Sequence, residues 1–370
     1  MFFCVCKGNK LKNVFIYICR MNMFKEKSLN TTQIETLGEF GLIEHLTQDF
    51  NIKNASSIFG IGDDAAVIDI SEKLQLVSTD LLVEGVHFNL SYTPLKHLGY
   101  KAVAVNVSDI CAMNGDAKQI TIGIAVSNRF SVEALEELYK GIKLACEKYN
   151  VDLVGGDTTS STTGLMISVT ALGEVKKENI TYRSGAKTND LLVCTGDLGA
   201  AYLGLQLLNR ENEIFKDNPK IQPDLTGHDY VLMRQLKPEA PTKYIKILKE
   251  LDIVPTSMID ISDGLSSELL HISKSSNVGL TIHEDKIPID YTAMNLANDF
   301  KLNPITCALS GGEDYELLFT ISQKHYDKLK TDPDFTIIGF VTDFSEGNNF
   351  IASDGSSHML IAQGWDNTKK

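Results

Sequence analysis

The sequence predicts two α+β domains of similar size, and three observations carry that reading. A chain of 370 residues is long for one ordinary domain and comfortable for two. From Gly38 onward, short β-like runs alternate with amphipathic helical patterns. The polar stretch KKENI, beginning at Lys176, interrupts this alternation, which then restarts. We therefore place an N-terminal domain at 38–176 and a C-terminal α+β domain at 177–370.

The elements follow in order. LQLVSTD (74–80) reads as a strand ending in a polar turn. QITIGIAVS (119–127), GLMISVTALGEV (164–175) and DLLVCTG (190–196) are strands by their β-branched content. A helix starts at Thr93–Pro94, with proline at its first position. Ser131 caps another helix, whose apolar residues Leu135, Leu138, Ile142, Ala145 and Tyr149 recur at spacings of three and four. The polar stretch Asn209–Asp229 is expected to be an excursion between helices.

The first 37 residues are expected to be an extension outside the fold. Val14–Cys19 is too short an apolar run to span a bilayer, and no small-residue cleavage site accompanies it. Met21 and Met23 follow closely, so a start assigned too far upstream is the preferred reading, with a genuine but weakly ordered extension as the alternative.

Hydrophobic residues at 43% and charged residues at 22% describe a soluble globular chain. A net charge of −13 with no basic run argues against a nucleic-acid partner. It leaves phosphate ligands open, because divalent cations invert the sign of an acidic site. The seven cysteines are scattered, odd in number and without a CxxC pair, which fits a reducing cytoplasm better than a disulfide framework or a zinc site.

Chemistry concentrates in acidic, glycine-bearing turns. In FGIGDDAAV (59–67), Gly60, Gly62 and Ala65 fit the G-x-G-x-x-A turn that brings backbone close to a pyrophosphate. Asp63 and Asp64 sit where that phosphate would lie, so either a metal bridges the two or this is an acidic surface turn. Asp80 ends the strand LVSTD, and Asp157 follows strand and glycines in VDLVGGDTTS. Asp260 and Asp263 lie in SMIDISDGLSSELL, a strand running through a tight turn into a helix. Glu313 and Asp314 precede the strand in LSGGEDYELLFT. One such turn is ordinary; five or six in one chain shift the balance toward a phosphate–metal site. Asp109 shares a helical stripe with Leu98, Ala102 and Val105, which puts a carboxylate on a face expected to be buried. An unpaired charge there is costly, so a basic partner or a metal must neutralise it.

The motifs GIGDDAA, STDLLVEGVHF, KAVAVNVSDICAMNG, LVGGDTT, RSGAKTND, IDISDGL and LSGGEDYEL occur in the order found in the thiamine-monophosphate kinases, which this chain resembles. GEFGLIEHL at Gly38 and GWD at Gly364 frame them, so the resemblance covers nearly everything beyond the first 37 residues. VEGVHF together with SGGEDYEL and RSGAK distinguishes this family within a superfamily that includes aminoimidazole ribonucleotide synthetase, selenophosphate synthetase and a hydrogenase maturation factor. The resemblance implies an α+β, two-domain aminoimidazole ribonucleotide synthetase-like fold. In that fold the N-terminal sheet builds a homodimer barrel and ATP binds between the domains.

Carried over residue by residue, the resemblance implies Mg²⁺ ligands at Asp64, Asp80, Asp109, Asp157 and Asp260. Ser78 and Thr79 add oxygens, Asp263 is a further metal position and Asp63 a supporting one. Gly156, Arg183 and Ser262 match positions that contact ATP. His87, Glu313 and the C-terminal aromatic Trp365 match contacts to thiamine monophosphate. The family often closes on GYDHF where this chain reads GWDNTKK, so the aromatic is kept and the residues after it differ.

The implied reaction is ATP-dependent phosphorylation of thiamine monophosphate to thiamine diphosphate, assisted by several Mg²⁺ ions and free of any covalent nucleophile. No G-x-x-x-x-G-K-[ST] loop is present, so this is not a P-loop kinase. Two other readings remain: a synthetase of the same superfamily with another acceptor, and a catalytically silent nucleotide-binding protein. The first would lack the VEGVHF and GGEDYEL pairing, and intact carboxylates at every matched position argue against the second.

Overall fold

The computed structural model describes residues 62–362 and, ahead of them, residues 41, 55 and 57–59. The expected extension 1–37, Gly60 of the acidic loop, and Trp365 with the closing GWD lie outside the described residues. The described chain is α+β and carries two sheets, both inside one compact unit.

The first sheet contains β1 (Ser57–Phe59), β2 (Ala66–Asp69), β3 (Lys73–Val83), β4 (Asp116–Val126), β5 (Asp152–Ser160) and β6 (Met166–Lys176). Their order is β1-β2-β3-β6-β4-β5, antiparallel except for the parallel pair β4–β5. A parallel pair needs a crossover, and helix α2 (Val132–Tyr149) supplies it. As its spacing predicts, Ser131 Oγ accepts from the Ala134 N–H at 3.3 Å, while Leu138, Ile142, Ala145 and Tyr149 are buried.

Helix α1 (Leu95–Ala112) begins one residue later than the sequence suggests, with Pro94 as its N-cap. Its burial is also broader than the expected stripe, since fourteen of its eighteen residues are buried. The reason is its place in the fold: it packs on β3, β4 and β6 on one side and on elements of the second sheet on the other.

Two strands run further than their sequences suggest. β3 continues through Asp80 to Val83, because Asp80 pairs with Val169 and Val83 with Met166 on β6. β5 likewise includes Asp157, paired with Gly123. Both aspartates are therefore strand residues and not turn residues.

The second sheet contains β7 (Leu191–Thr195), β8 (Ser257–Asp260), β9 (Gly279–His283), β10 (Leu317–Ile321), β11 (Phe335–Thr342), β12 (Asn348–Ile351) and β13 (Ser357–Met359), in the order β13-β12-β9-β11-β7-β10-β8. The helices of seven or more residues between these strands are α3 (Ala200–Asp217), α4 (Asp229–Leu236), α5 (Thr242–Glu250), α6 (Leu265–Ser276), α7 (Tyr291–Asp299) and α8 (Pro304–Ser310). α3 takes up the first half of the stretch expected to be an excursion. Leu203, Leu207, Leu208 and Glu211 continue its buried face, and Asn209, Arg210, Glu213 and Lys216 form its solvent side.

One hydrophobic cluster joins the sheets. It runs from Leu76, Ile120 and Ile167 through Leu98 and Leu138 to Met258, Phe319 and Phe335. α1 and β8 meet at this junction, and both carry carboxylates that the sequence singles out.

Candidate active site

Alternation along β3 sorts three predicted ligands. Ser78 and Asp80, two residues apart, share a face, and Thr79 points away from it. Thr79 Oγ1 donates to the Val169 carbonyl at 3.0 Å across the sheet. On the other face, Ser78 Oγ donates to Asp109 Oδ2 on α1. One turn earlier, Asn106 Oδ1 accepts from the Asp80 N–H at 3.1 Å. Ser108 Oγ donates to Asp260 Oδ2 at the end of β8, at 2.6 Å. A single buried helix thus orients side chains or backbone on β3 and β8.

Asp64, Asp109 and Asp260 each present a carboxylate oxygen, and the three oxygens lie within 4.8 Å of one another. Confinement raises proton affinity around this cluster. Burial first, and the Asp64 charge second, push Asp260 up to about 8 and Asp80 up to about 6. Asp109 is held well above the usual carboxylate range by burial and by the Asp80, Asp260 and Asp64 charges. Asp63, buried beside Asp64, is raised to about 7. A cation lies against this cluster: Arg183 Nε and Nη2 donate to the two oxygens of Asp64 at 3.1 and 2.8 Å. The Arg183 backbone N–H also donates to Asp63 Oδ2 at 3.0 Å.

Beyond β8 the chain turns sharply at Ser262–Gly264 and enters α6. Gly264 stands at φ +110°, and a Cβ there would lie 2.9 Å from the Leu309 carbonyl oxygen, so glycine is required. Glu268 Oε1, in the first turn of α6, accepts from the Ser262 and Asp263 N–H groups at 3.2 and 2.8 Å and fixes the turn.

The GGED loop closes on the same turn. The Glu313 N–H donates to the Ser262 carbonyl at 2.7 Å, and the Tyr315 N–H to Ile261 at 2.8 Å. Glu313 and Tyr315 both adopt left-handed conformations, at φ +69° and +52°. Two such non-glycine residues in three positions store strain, which concentrates at functional sites. The side chains lock the loop in place. Glu313 receives Lys101 Nζ from α1 and Gln235 Nε2 from α4, each at 2.7 Å. Asp314 accepts from the Gly199 N–H at 2.8 Å, and Glu316 pairs with Arg234 at 2.7 Å.

The remaining predicted residues lie elsewhere. The ladder runs from Asp80 through Val169 and Ile122 to Gly156. Three strand spacings put Asp157, beside Gly156, roughly 14 Å along the sheet from Asp80. Gly156 has a packing reason to be glycine: a Cβ would lie 2.1 Å from the Ile122 carbonyl oxygen. His87 Nδ1 accepts from the Val83 N–H at 3.0 Å, in the turn that follows β3. Lys101, Asn106, Ser108, Gln235 and Glu268 were not singled out by sequence reasoning. The available signal was four polar residues, Lys101, Asn106, Ser108 and Asp109, inside a helix buried on nearly every side.

Comparison with known proteins matches this geometry to a lineage. The family model "AIR synthase related protein, N-terminal domain" matches residues 62–175. The thiamine-monophosphate kinase of Bacillus subtilis (strain 168) is 34% identical over 342 residues, covering 90% of this chain and all of the relative. The chain belongs to the thiamine-monophosphate kinase family. The thiamine-monophosphate kinase of Buchnera aphidicola subsp. Schizaphis graminum is 38% identical over 320 residues, covering 85% of this chain and 94% of the relative. Among solved structures, "AaThiL complexed with AMPPCP and TMP" superposes with a TM-score of 0.77 at 32% identity, covering 91% of this chain and 99% of that one. The aminoimidazole ribonucleotide synthetase-like fold expected from the motifs is therefore the fold of this kinase family member.

Proposed function

We propose that this chain transfers the γ-phosphoryl group of ATP to the phosphate of thiamine monophosphate, producing thiamine diphosphate. The observation that carries the reading is the convergence of Asp64, Asp109 and Asp260, in a chain whose relatives carry the kinase name. The solved relative bound to AMPPCP, an ATP analogue, together with TMP supports both substrates.

The three carboxylates fit Mg²⁺. Their oxygens are hard donors, and oxygens in one Mg²⁺ shell lie at most about 4.2 Å apart, so a small closure from 4.8 Å gathers them. Burial and mutual repulsion make the cluster costly without a cation. Asp80 lies near enough to feel the Asp64 charge, while Asp157 stands apart along the sheet, which suits more than one ion position. Asp64, Asp109 and Asp260 would hold Mg²⁺, which would supply neutralisation of the phosphate charge.

The chain's own residues do the rest by holding positions. Ser78 and Ser108 orient Asp109 and Asp260, and Asn106 fixes the β3 backbone at Asp80. Arg183, Gly156 and Ser262 serve the nucleotide. His87, Glu313 and Trp365 serve the acceptor, and Asp263 adds a carboxylate beside the cluster, while Thr79, on the opposite face of β3, is left to its sheet contacts. No general base is needed, because a phosphate monoester with a second pKa near ~6 is already largely dianionic at neutral pH. Phosphoryl transfer is then mainly alignment and charge neutralisation.

The assembly is a homodimer in this reading. β5 is an edge strand with Leu153 and Val154 exposed, a surface that favours pairing. Among the described residues, no helix is long and apolar enough to cross a membrane. Cys111, Cys146, Cys194 and Cys307 are free thiols, which suits a reducing cytoplasm.

The test is direct: purified protein, MgATP and thiamine monophosphate, with products separated by chromatography. Thiamine diphosphate should form, and Asp109→Asn and Asp260→Asn should each lower kcat by about 10²-fold or more, the scale of losing one electrostatic stabiliser. ATP consumption without thiamine diphosphate would contradict the proposal.

A further inference from the structure

Asp64 faces two claims on the same carboxylate. One of its oxygens belongs to the three-carboxylate cluster, and both oxygens receive the Arg183 guanidinium. The pair lies below the surface, with the Asp64 side chain 3% exposed and the Arg183 side chain 16% exposed. A divalent cation at the cluster would stand beside that guanidinium in a poorly solvated place, where like charges repel strongly. The two cations compete for the same carboxylate.

We propose that Arg183 is an exchangeable counter-ion: its guanidinium holds Asp64 until a divalent cation takes that carboxylate, and the released guanidinium is then offered to the phosphates of the incoming nucleotide. This rests on the reading of the cluster as the metal–nucleotide site. The exchange makes metal and nucleotide load together, because each removes an obstacle to the other. A guanidinium suits both duties, since its planar fork matches a carboxylate and a phosphate equally well. Its anchorage fits as well. The Arg183 backbone N–H is held by Asp63 Oδ2 at 3.0 Å, so the side chain can change partner while the main chain stays in place.

A purely structural ion pair makes the opposite prediction. Losing its arginine would loosen the acidic loop and weaken metal binding. Exchange predicts tighter metal binding in the nucleotide-free protein, because a competitor has been removed.

The test is titration of nucleotide-free protein with Mg²⁺ alone by calorimetry, comparing wild type with Arg183→Met. The variant should bind Mg²⁺ roughly 5-fold or more tightly, the lower range of measured site-to-site coupling. Its affinity for AMPPCP at saturating Mg²⁺ should fall. The gain in Mg²⁺ affinity should vanish in an Asp64→Asn background, where the contested carboxylate is gone. Arg183→Lys keeps the charge but loses the fork. It should bind Mg²⁺ more tightly than wild type, and it carries the test if Arg183→Met fails to fold. Unchanged or weaker Mg²⁺ binding in both variants, with wild type binding normally, overturns the exchange alone. Absence of Mg²⁺ binding in every protein overturns the site reading and the exchange with it.

Discussion

Ser108 Oγ donates to Asp260 Oδ2 at 2.6 Å, tying helix α1 to the end of strand β8. This bond joins the first sheet's helix to the second sheet's strand at the point where the carboxylates converge. Ser108→Ala removes the donor and leaves Asp260 without a fixed direction. Groups that orient a metal ligand are worth about 10–100-fold in metal affinity. The Mg²⁺ concentration for half-maximal turnover should rise by about 10-fold or more, with circular dichroism unchanged. An unaltered Mg²⁺ requirement would remove Ser108 from the site.

The raised carboxyls predict the pH dependence of the metal-free protein. Asp63 and Asp314 are held up at about 7 and Asp260 at about 8, chiefly by burial, against 3.8 for the free side chain. Above pH 6.5 the folded chain therefore keeps protons that the unfolded chain has lost, and stability falls as pH rises through this window. Each such proton contributes up to about 1.4 kcal/mol per pH unit. His271, lowered to about 4 by burial, acts with the opposite sign only between about 4 and its ordinary 6.5, so it leaves the upper window clear. Thermal melts from pH 6.5 to 8 should show a falling Tm without metal. Mg²⁺ should raise Tm more at pH 8 than at pH 6.5, since it needs deprotonated ligands. A metal-free Tm that rises across this window would contradict the assignment of buried, repelling carboxyls.

The Lys101–Glu313 pair sets the position of the GGED loop. Lys101 is 3% exposed and Glu313 25%, so removing either partner strands a charge in a largely desolvated place. Lys101→Met should cost about 3 kcal/mol, the low end for breaking a buried pair because Glu313 retains some solvent. The double variant with Glu313→Gln should cost less than the sum of the single variants. Urea denaturation of the four proteins measures this, and strict additivity would show that the pair is not coupled.

Gly156 separates packing from ligand contact. With the Ile122 carbonyl oxygen only 2.1 Å from where a Cβ would stand, Gly156→Ala should force β5 away from β4. A loss of about 1–3 kcal/mol is expected, the usual range for overpacking. A variant with unchanged Tm and weakened ATP binding would mean that Gly156 acts through the nucleotide and not through the sheet.

Much of the fold was legible because its strands are β-branched and its helices periodic. The strand–turn–helix of 257–276 and the capped helix α2 follow directly from local sequence. The ends of β3 and β5 did not, because polar residues such as Asp80 and Asp157 read as turns until cross-strand pairing is known. The first half of 209–229 was misread for a similar reason: a solvent-facing helical side has the composition of a loop. In the site, Asp64, Asp109 and Asp260 stood out as carboxylates in glycine-rich turns or on an apolar face. Their hydroxyl donors did not, since a serine in a helix carries no sequence mark of the residue it meets 152 positions away.

The central claim is that the acceptor's own phosphate is the nucleophile, aligned by a carboxylate-held metal site with no side-chain base. It is tested most directly by measuring kcat/KM with thiamine monophosphate and with unphosphorylated thiamine, under the same MgATP. A primary alcohol has a pKa far above neutrality and would need a base to deprotonate it, and it lacks the phosphate that bridges to the metal. The account predicts ready turnover of thiamine monophosphate to the diphosphate and no phosphorylation of thiamine above background. Comparable turnover of both acceptors would contradict it.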